Sequence, residues 1–310
     1  MSLNNIFNSD KLYAIANLIF AGSNAIISIL VVKFFGVRVY GFMTYYNSID
    51  MFVDYLSGHS RSTFEYSAAN TSNHERIIQS FAIIQLLLSF FSAIFFFILS
   101  FYTVDPVSLF ICQIFIIFSP GKSYLNFFRI LSKVTGKLKW FTFVVTLISV
   151  LNLIFITISN FFFDFYIYML LRSVSLVCFI VFLIRIFSLN LSNIKNRFYV
   201  AYVNLRSKSK SLIIYSFITL MTIALDKLII KNMFDATILG IYGVAFLAYN
   251  MLVIFSGSLI GGNFRKLTST LIRDYTQIIS KTLFWTIFAI IIIEIFIILF
   301  NDFLFLENYN

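Results

Sequence analysis

A few ionisable residues stand inside long apolar stretches, where charge is expensive. Asp50 and Asp54 are four residues apart and so share one helix face. Lys122 follows Pro120-Gly121, and Arg172 sits near the middle of an apolar run. Asp226 and Lys227 are adjacent, with Lys231 one turn further on, and Glu294 lies in the last apolar block. Placing such a group at the centre of a membrane helix costs about 2.5–3.5 kcal/mol on insertion scales, so it normally faces a water-filled cavity or a partner. Arg172, Lys122 and Lys227 suit an anion-binding cavity. Arg172 suits phosphate best, because its planar fork donates two parallel hydrogen bonds. Asp50, Asp226 and Glu294 are the groups that could hold those cations in an empty site or exchange a coupling ion. The structural alternative pairs the same charges with one another, for instance Arg172 with Asp50. Asp54, close to the rim, could simply snorkel or cap.

Other chemistry is absent from the sequence. Pro120-Gly121-Lys122-Ser123 looks like the tail of a phosphate loop, but the required first glycine falls at position 116, which is Ile116. His59 and His74 belong to no zinc motif, and no Ser/His/Asp or Cys/His arrangement is readable. Cys112 and Cys178 both lie in apolar blocks, as buried small hydrophobes do. Asn70-Thr71-Ser72 matches a glycosylation sequon, but on a loop expected to be cytoplasmic. Gly257 and Gly261 have the GxxxG spacing that lets helices approach closely. The expectation is a protein without metal or cofactor and without enzymatic activity.

The elements that carry these residues follow from composition. The chain has 310 residues, 60% hydrophobic and 12% charged, with a mean hydropathy of +0.93. A soluble domain has roughly 25% charged residues, and this chain could not cover its surface in water. A membrane-spanning helix needs roughly 20 mostly apolar residues. About nine stretches fit: Leu12–Val32, Tyr40–Leu56, Ile77–Leu99, Val107–Phe128, Trp140–Ser159, Phe165–Ile184, Leu212–Ile230, Ile238–Ile260 and Thr282–Phe300. The fourth is interrupted by Pro120-Gly121. The fold class is therefore all-α, a polytopic membrane helix bundle. Residues 1–10 lack the basic region of a signal peptide, so the first block is a retained helix.

The net charge of +10 is a topology signal and not a mark of nucleic-acid binding. With the N-terminus in the cytoplasm, 17 of the 23 Lys and Arg fall in cytoplasmic segments. Lys33, Arg38 and Lys231 fall outside, and Lys122, Arg172 and Lys227 lie within helices. Positive loops stay in the cytoplasm, which fixes this orientation; the expected location is a bacterial-type inner membrane.

The chain divides into a six-helix lobe over residues 1–190, a basic cytoplasmic linker over 191–210 and a partial second lobe of about three helices over 211–310. An internal repeat supports two lobes. Phe35-Gly36-Val37-Arg38-Val39-Tyr40-Gly41 aligns with Phe234-Asp235-Ala236-Thr237-Ile238-Leu239-Gly240 at an offset of 199 residues, from 35 to 234. Parallel repeats are a common transporter design. A complete second lobe would run to about residue 385, so about three of its helices are expected to be missing.

The stretch from Val31 to Gly41, Val31-Val32-Lys33-Phe34-Phe35-Gly36-Val37-Arg38-Val39-Tyr40-Gly41, resembles the first-loop signature of the polysaccharide flippases. These are the O-antigen and capsule exporters of the multidrug/oligosaccharidyl-lipid/polysaccharide superfamily. In that pattern a helix follows that ends in an aspartate and a glycine, here Asp54 and Gly58, with Arg61 after them. Asp226-Lys227-Leu228-Ile229-Ile230 and Leu239-Gly240-Ile241-Tyr242-Gly243-Val244-Ala245 resemble the start of the family's second lobe. The resemblance covers about residues 8–300. It implies a two-lobed bundle, normally of 12 or more helices, that flips undecaprenyl-pyrophosphate-linked oligosaccharide across the inner membrane by alternating access. Its implied partners are the lipid-linked oligosaccharide, membrane lipids, a polysaccharide polymerase and a chain-length regulator. A small-molecule exporter of the same fold and a membrane-embedded polymerase or glycosyltransferase are the competing readings. Short outer loops nearly free of Lys and Arg disfavour the polymerase, and the cavity cations disfavour an exporter of cationic drugs.

Overall fold

The computed structural model describes residues 3–69, 74–135, 137–162, 164–187 and 210–247, with single positions at 198, 199, 202, 203, 280, 284 and 287. Among the described residues all regular structure is helical. In chain order the helices are α1 (Leu3–Phe35), α2 (Val37–Val53), α3 (Tyr55–Ala69), α4 (His74–Ser100), α5 (Pro106–Thr135), α6 (Leu138–Phe161), α7 (Phe165–Ile186), α8 (Lys210–Met233) and α9 (Ala236–Leu247).

Four of them, Ile77–Ser100 in α4 together with α5, α6 and α7, are long and apolar enough to cross a membrane. The shortest has 22 residues, which at about 1.5 Å per residue spans the ~30 Å hydrocarbon core. Their outer faces carry large apolar side chains: Phe90 is 64% exposed, Val174 58% and Val181 61%. The interior, by contrast, holds Ser, Asp, Gln and Arg side chains. An apolar exterior around a partly polar interior is compatible with a multi-pass membrane protein. The expected eighth span is described only as far as Leu247. Only single positions of the ninth span and of the linker are described, and the Gly257/Gly261 pair lies outside the described residues.

Two expectations about individual helices need correction. The second apolar stretch, expected to end at Leu56, is the first half of a longer pair. The helix turns at Asp54 and resumes as α3, reaching Ala69. The count of apolar residues misses α3 because it is rich in serine and carries Arg61. Those groups are buried all the same: Ser57, Ser60, Arg61 and Thr63 are each at most 9% exposed, and α3 packs on α4 and α5. The second correction is at Pro120-Gly121, which does not break its helix; α5 runs through both residues. Proline removes one N–H, and long helices absorb that loss when packed. Gly121 is there for contact: a Cβ at that position would come within 2.7 Å of Leu176 Cδ2 on α7.

Aromatic rings fill the core between α2, α3, α4 and α5. Phe64 lies 5.4 Å from both Phe81 and Phe127, and Phe96 lies 5.2 Å from Phe115, centroid to centroid. Such pairs contribute roughly 0.5–1.5 kcal/mol each beyond their buried area.

The two copies of the internal repeat pack directly on each other. α1 ends at Phe35 and α2 begins at Val37; 199 residues later stand Phe234 and Ala236, where α9 begins. The connecting residue is Gly36 in the first copy, at φ +90°, a conformation that favours glycine. In the second copy it is Asp235, whose Oδ1 accepts the N–H of Ile238 at 2.8 Å and caps α9. That N–H holds the exposed Asp235 carboxyl below the usual carboxylate range. A Cβ on Gly41 would collide with the carbonyl oxygen of Ala236, and a Cβ on Gly240 with that of Val37. These two contacts exchange under the 199-residue offset, since 41 maps to 240 and 37 to 236. Gly243, the equivalent of Thr44, faces Thr44 itself, with a Cβ there only 3.0 Å from Thr44 Oγ1. The seam therefore has local two-fold symmetry.

The seam makes a direct prediction. Backbone carbonyls cannot swing aside, so Gly41→Ala and Gly240→Ala should each destabilise by about 1–3 kcal/mol, the usual cost of overpacking. Gly22→Ala is the control. A Cβ there meets nothing within 4 Å, and alanine is the better helix former. Thermal unfolding in detergent, followed by helical circular dichroism, should show the two seam variants melting early and Gly22→Ala not. Equal melting of all three would show that the seam is loose.

Candidate functional site

α1, α2 and α5 to α9 enclose a cavity of about 380 Å³. The three cations singled out from the sequence all line it: Lys122 from α5, Arg172 from α7 and Lys227 from α8. Helical spacing explains the approach of Lys122. It stands one turn beyond Ser119 on α5, so both reach the same carboxylate on α2. Lys122 Nζ lies 2.6 Å from Asp50 Oδ2, and Asp50 is only 1% exposed. Ser119 donates its hydroxyl to the other oxygen of Asp50. Because that proton is spent on the carboxylate, the Ser92–Ser119 hydrogen bond must have Ser92 as its donor. α2, α4 and α5 are thus tied through one buried acid.

The pairing of Arg172 with Asp50 does not occur, because Lys122 occupies that carboxylate. Arg172 instead lies against aromatic rings, its guanidinium carbon 4.8 Å from the Phe118 centroid and 6.0 Å from that of Tyr168. It makes no ion pair among the described residues, and its Nε has no hydrogen-bond partner. A guanidinium held by its face keeps its N–H edge free to donate.

Lys227 is more occupied. Its Nζ lies 3.4 Å from Asp226 Oδ1 and 3.9 Å from the Phe246 centroid, and it donates to the carbonyl of Ile223. Asp226 also accepts from the Tyr242 hydroxyl. Neither Asp226 nor Asp50 lines the cavity; both act as partners to the lysines that do. Glu294 lies outside the described residues. Among the described residues, two of the three cavity cations thus have an acidic partner and Arg172 has none.

The sequence reading missed a second buried network. Asp54 stands at the C-cap of α2, but its carboxylate does not snorkel, and Arg61 is buried on α3. Arg61 forks onto Asp54, with its two terminal nitrogens 3.0 and 2.5 Å from the two carboxylate oxygens. The Ser123 hydroxyl donates to Asp54 Oδ1 at 2.6 Å and accepts from Gln85 Nε2 at 2.6 Å and Arg61 at 3.1 Å, which uses its one proton and both lone pairs. The seven-residue spacing of Asp54 and Arg61, two helical turns, was the available signal. The cavity also contains four asparagines that drew no attention in the sequence: Asn24, Asn47, Asn126 and Asn152.

Fold and site together give a helical protein, compatible with a multi-pass membrane protein, with an internal cationic cavity. No protein-family description matches the chain, and neither a curated protein nor a solved structure is significantly similar to it.

Proposed function

We propose that the chain is a transporter that moves an undecaprenyl-pyrophosphate-linked oligosaccharide, an O-antigen or capsule repeat unit, across the bacterial inner membrane by alternating access. On this reading it is a polysaccharide flippase, not an enzyme, with its N-terminus in the cytoplasm. It works alongside a polysaccharide polymerase and a chain-length regulator.

The observation that carries the proposal is the convergence of Arg172, Lys122 and Lys227 on one cavity, with Arg172 in no ion pair among the described residues. The substrate's pyrophosphate must leave one aqueous face, cross a region of low dielectric and reach the other. A fixed cation in that region offsets part of the desolvation penalty. Arg172 supplies it, with its faces against Phe118 and Tyr168 and its N–H fork available to phosphate oxygens. Lys122 and Lys227 contribute less, because Asp50 and Asp226 already neutralise them. That division suits transport, since a dense cluster of bare cations would bind an anion too tightly to release it. Asp50, Asp226 and Glu294 are the groups through which a proton or sodium ion would be coupled.

The test is direct. Vesicles containing the purified protein are prepared with fluorescent oligosaccharide on undecaprenyl pyrophosphate in the inner leaflet only. An impermeant lectin outside should capture the label faster than in protein-free vesicles. Identical rates would overturn the proposal.

A further inference from the structure

The cavity has a second chemical character besides its charge. Four carboxamides from four different helices face it: Asn24 on α1, Asn47 on α2, Asn126 on α5 and Asn152 on α6. Asn152 is only 4% exposed, and its Oδ1 has no hydrogen-bond partner. None of the other three makes a side-chain hydrogen bond to protein among the described residues. Each carboxamide offers two donor hydrogens and an acceptor oxygen. Around them the wall holds apolar side chains, among them Ile27, Val31, Ile148 and Leu176, together with the hydroxyls of Ser28, Thr44 and Ser48. Unpaired amides in such a setting are costly, and packing alone gives no reason to gather four of them on one void.

We infer that these four asparagines form a sugar-binding subsite beside the anion-binding cation, so that Arg172 takes the phosphate and the carboxamides take the hydroxyls of the first sugar. The inference rests on the lipid-linked oligosaccharide reading above and extends it. A set of neutral carboxamides with both donors and acceptors matches a neutral polyhydroxylated ring, whose hydroxyls also donate and accept. A second anion would call for more cations, and a purely apolar ligand would leave the amides unpaired. The cavity's ~380 Å³ lies within the roughly 300–1,000 Å³ typical of small-ligand pockets. It therefore suits a head group of one or a few rings, with the polyprenyl tail left outside. Asn152 is the main specificity-determining residue, because it is the most buried of the four and has an unmet acceptor.

Two probes separate this inference from the reading it rests on. They are undecaprenyl pyrophosphate and the same lipid carrying one N-acetylglucosamine, each titrated against the full chain in nanodiscs. Wild type should bind both, and the sugar-bearing lipid more tightly. Asn152→Leu and Asn126→Leu should each weaken the sugar-bearing lipid by about tenfold, the effect of one or two lost hydrogen bonds, and leave the bare lipid unchanged. Arg172→Ala should weaken both probes alike. Asn47→Ala, at a half-buried position, provides the same comparison if Asn152→Leu does not fold. If the asparagine variants weaken both probes equally or neither, or if wild type binds the two lipids equally, the sugar subsite is overturned while the transport reading stands. Binding of neither lipid by wild type would overturn both.

Discussion

Arg172→Glu should stop transport, with flipping rates at least about 30-fold below wild type, whereas Arg172→Lys should keep a measurable part. Removing one partner of a desolvated charge pair typically costs 2–5 kcal/mol, or roughly 30-fold to several thousand-fold. Glutamate adds repulsion to that loss. Lysine restores the charge but not the two-pronged geometry, so partial function is the expected signature of anion binding. The structure also makes the experiment clean. Arg172 has no carboxylate partner among the described residues, so its removal orphans no acid among them. Its contacts with Phe118 and Tyr168 contribute about 0.5–2 kcal/mol each. The variants should therefore fold, and lectin-capture assays on vesicles with matched protein content should report transport alone. Wild-type flipping with glutamate at position 172 would eliminate the proposed role.

The second large effect is on stability. Asp54→Ala and Arg61→Ala should each destabilise by about 3–5 kcal/mol, because each leaves the other charge buried without its partner. The side chains are 16% and 10% exposed, so water screens them little. The double variant Asp54→Leu/Arg61→Met should recover most of the loss, since removing both charges removes the desolvation penalty as well. Arg38→Ala is the comparison. Its ion pair with Asp105 has a similar length, 2.8 Å, but Arg38 is 66% exposed, so the change should amount to about 1 kcal/mol or less. Unfolding in bicelles would rank the variants. If Arg61→Ala is as mild as Arg38→Ala, the network of Asp54, Arg61, Ser123 and Gln85 does not hold α2, α3, α4 and α5 together.

The helices that could be read from the sequence were those whose apolar residues are continuous. α4, α6 and α7 begin or end within a few residues of their expected limits, because lipid contact demands an unbroken apolar surface. α3 was hidden for the opposite reason. It is buried in protein, where serine and arginine are tolerated if they are hydrogen-bonded, so its composition resembles a loop. Among candidate site residues, intramembrane charge singled out Arg172, Lys122 and Lys227, and the three line one cavity, since a lone cation in an apolar run has few places to go. Which acid meets which base was not legible. Asp50 and Asp54 are equivalent by spacing, and only the turn at Asp54 sends one to Lys122 and the other to Arg61. The asparagines were invisible because a neutral amide in a helix carries no charge signal, and their common destination exists only in three dimensions.

The glycine seam between the repeat copies also has a mechanical consequence. Under its two-fold symmetry, Gly41 bears on Ala236 in the same way that Gly240 bears on Val37. Sliding α2 along its own axis relative to α9 lengthens one of these contacts and shortens the other, so axial displacement in either direction meets a wall. The register is self-centring, like a detent. Rotation about the shared axis and separation perpendicular to it treat both contacts alike and meet no such wall. Any movement of one copy against the other is therefore confined to swinging apart or twisting together, with the pairing of Gly41 opposite Gly240 kept as the fixed point of the motion.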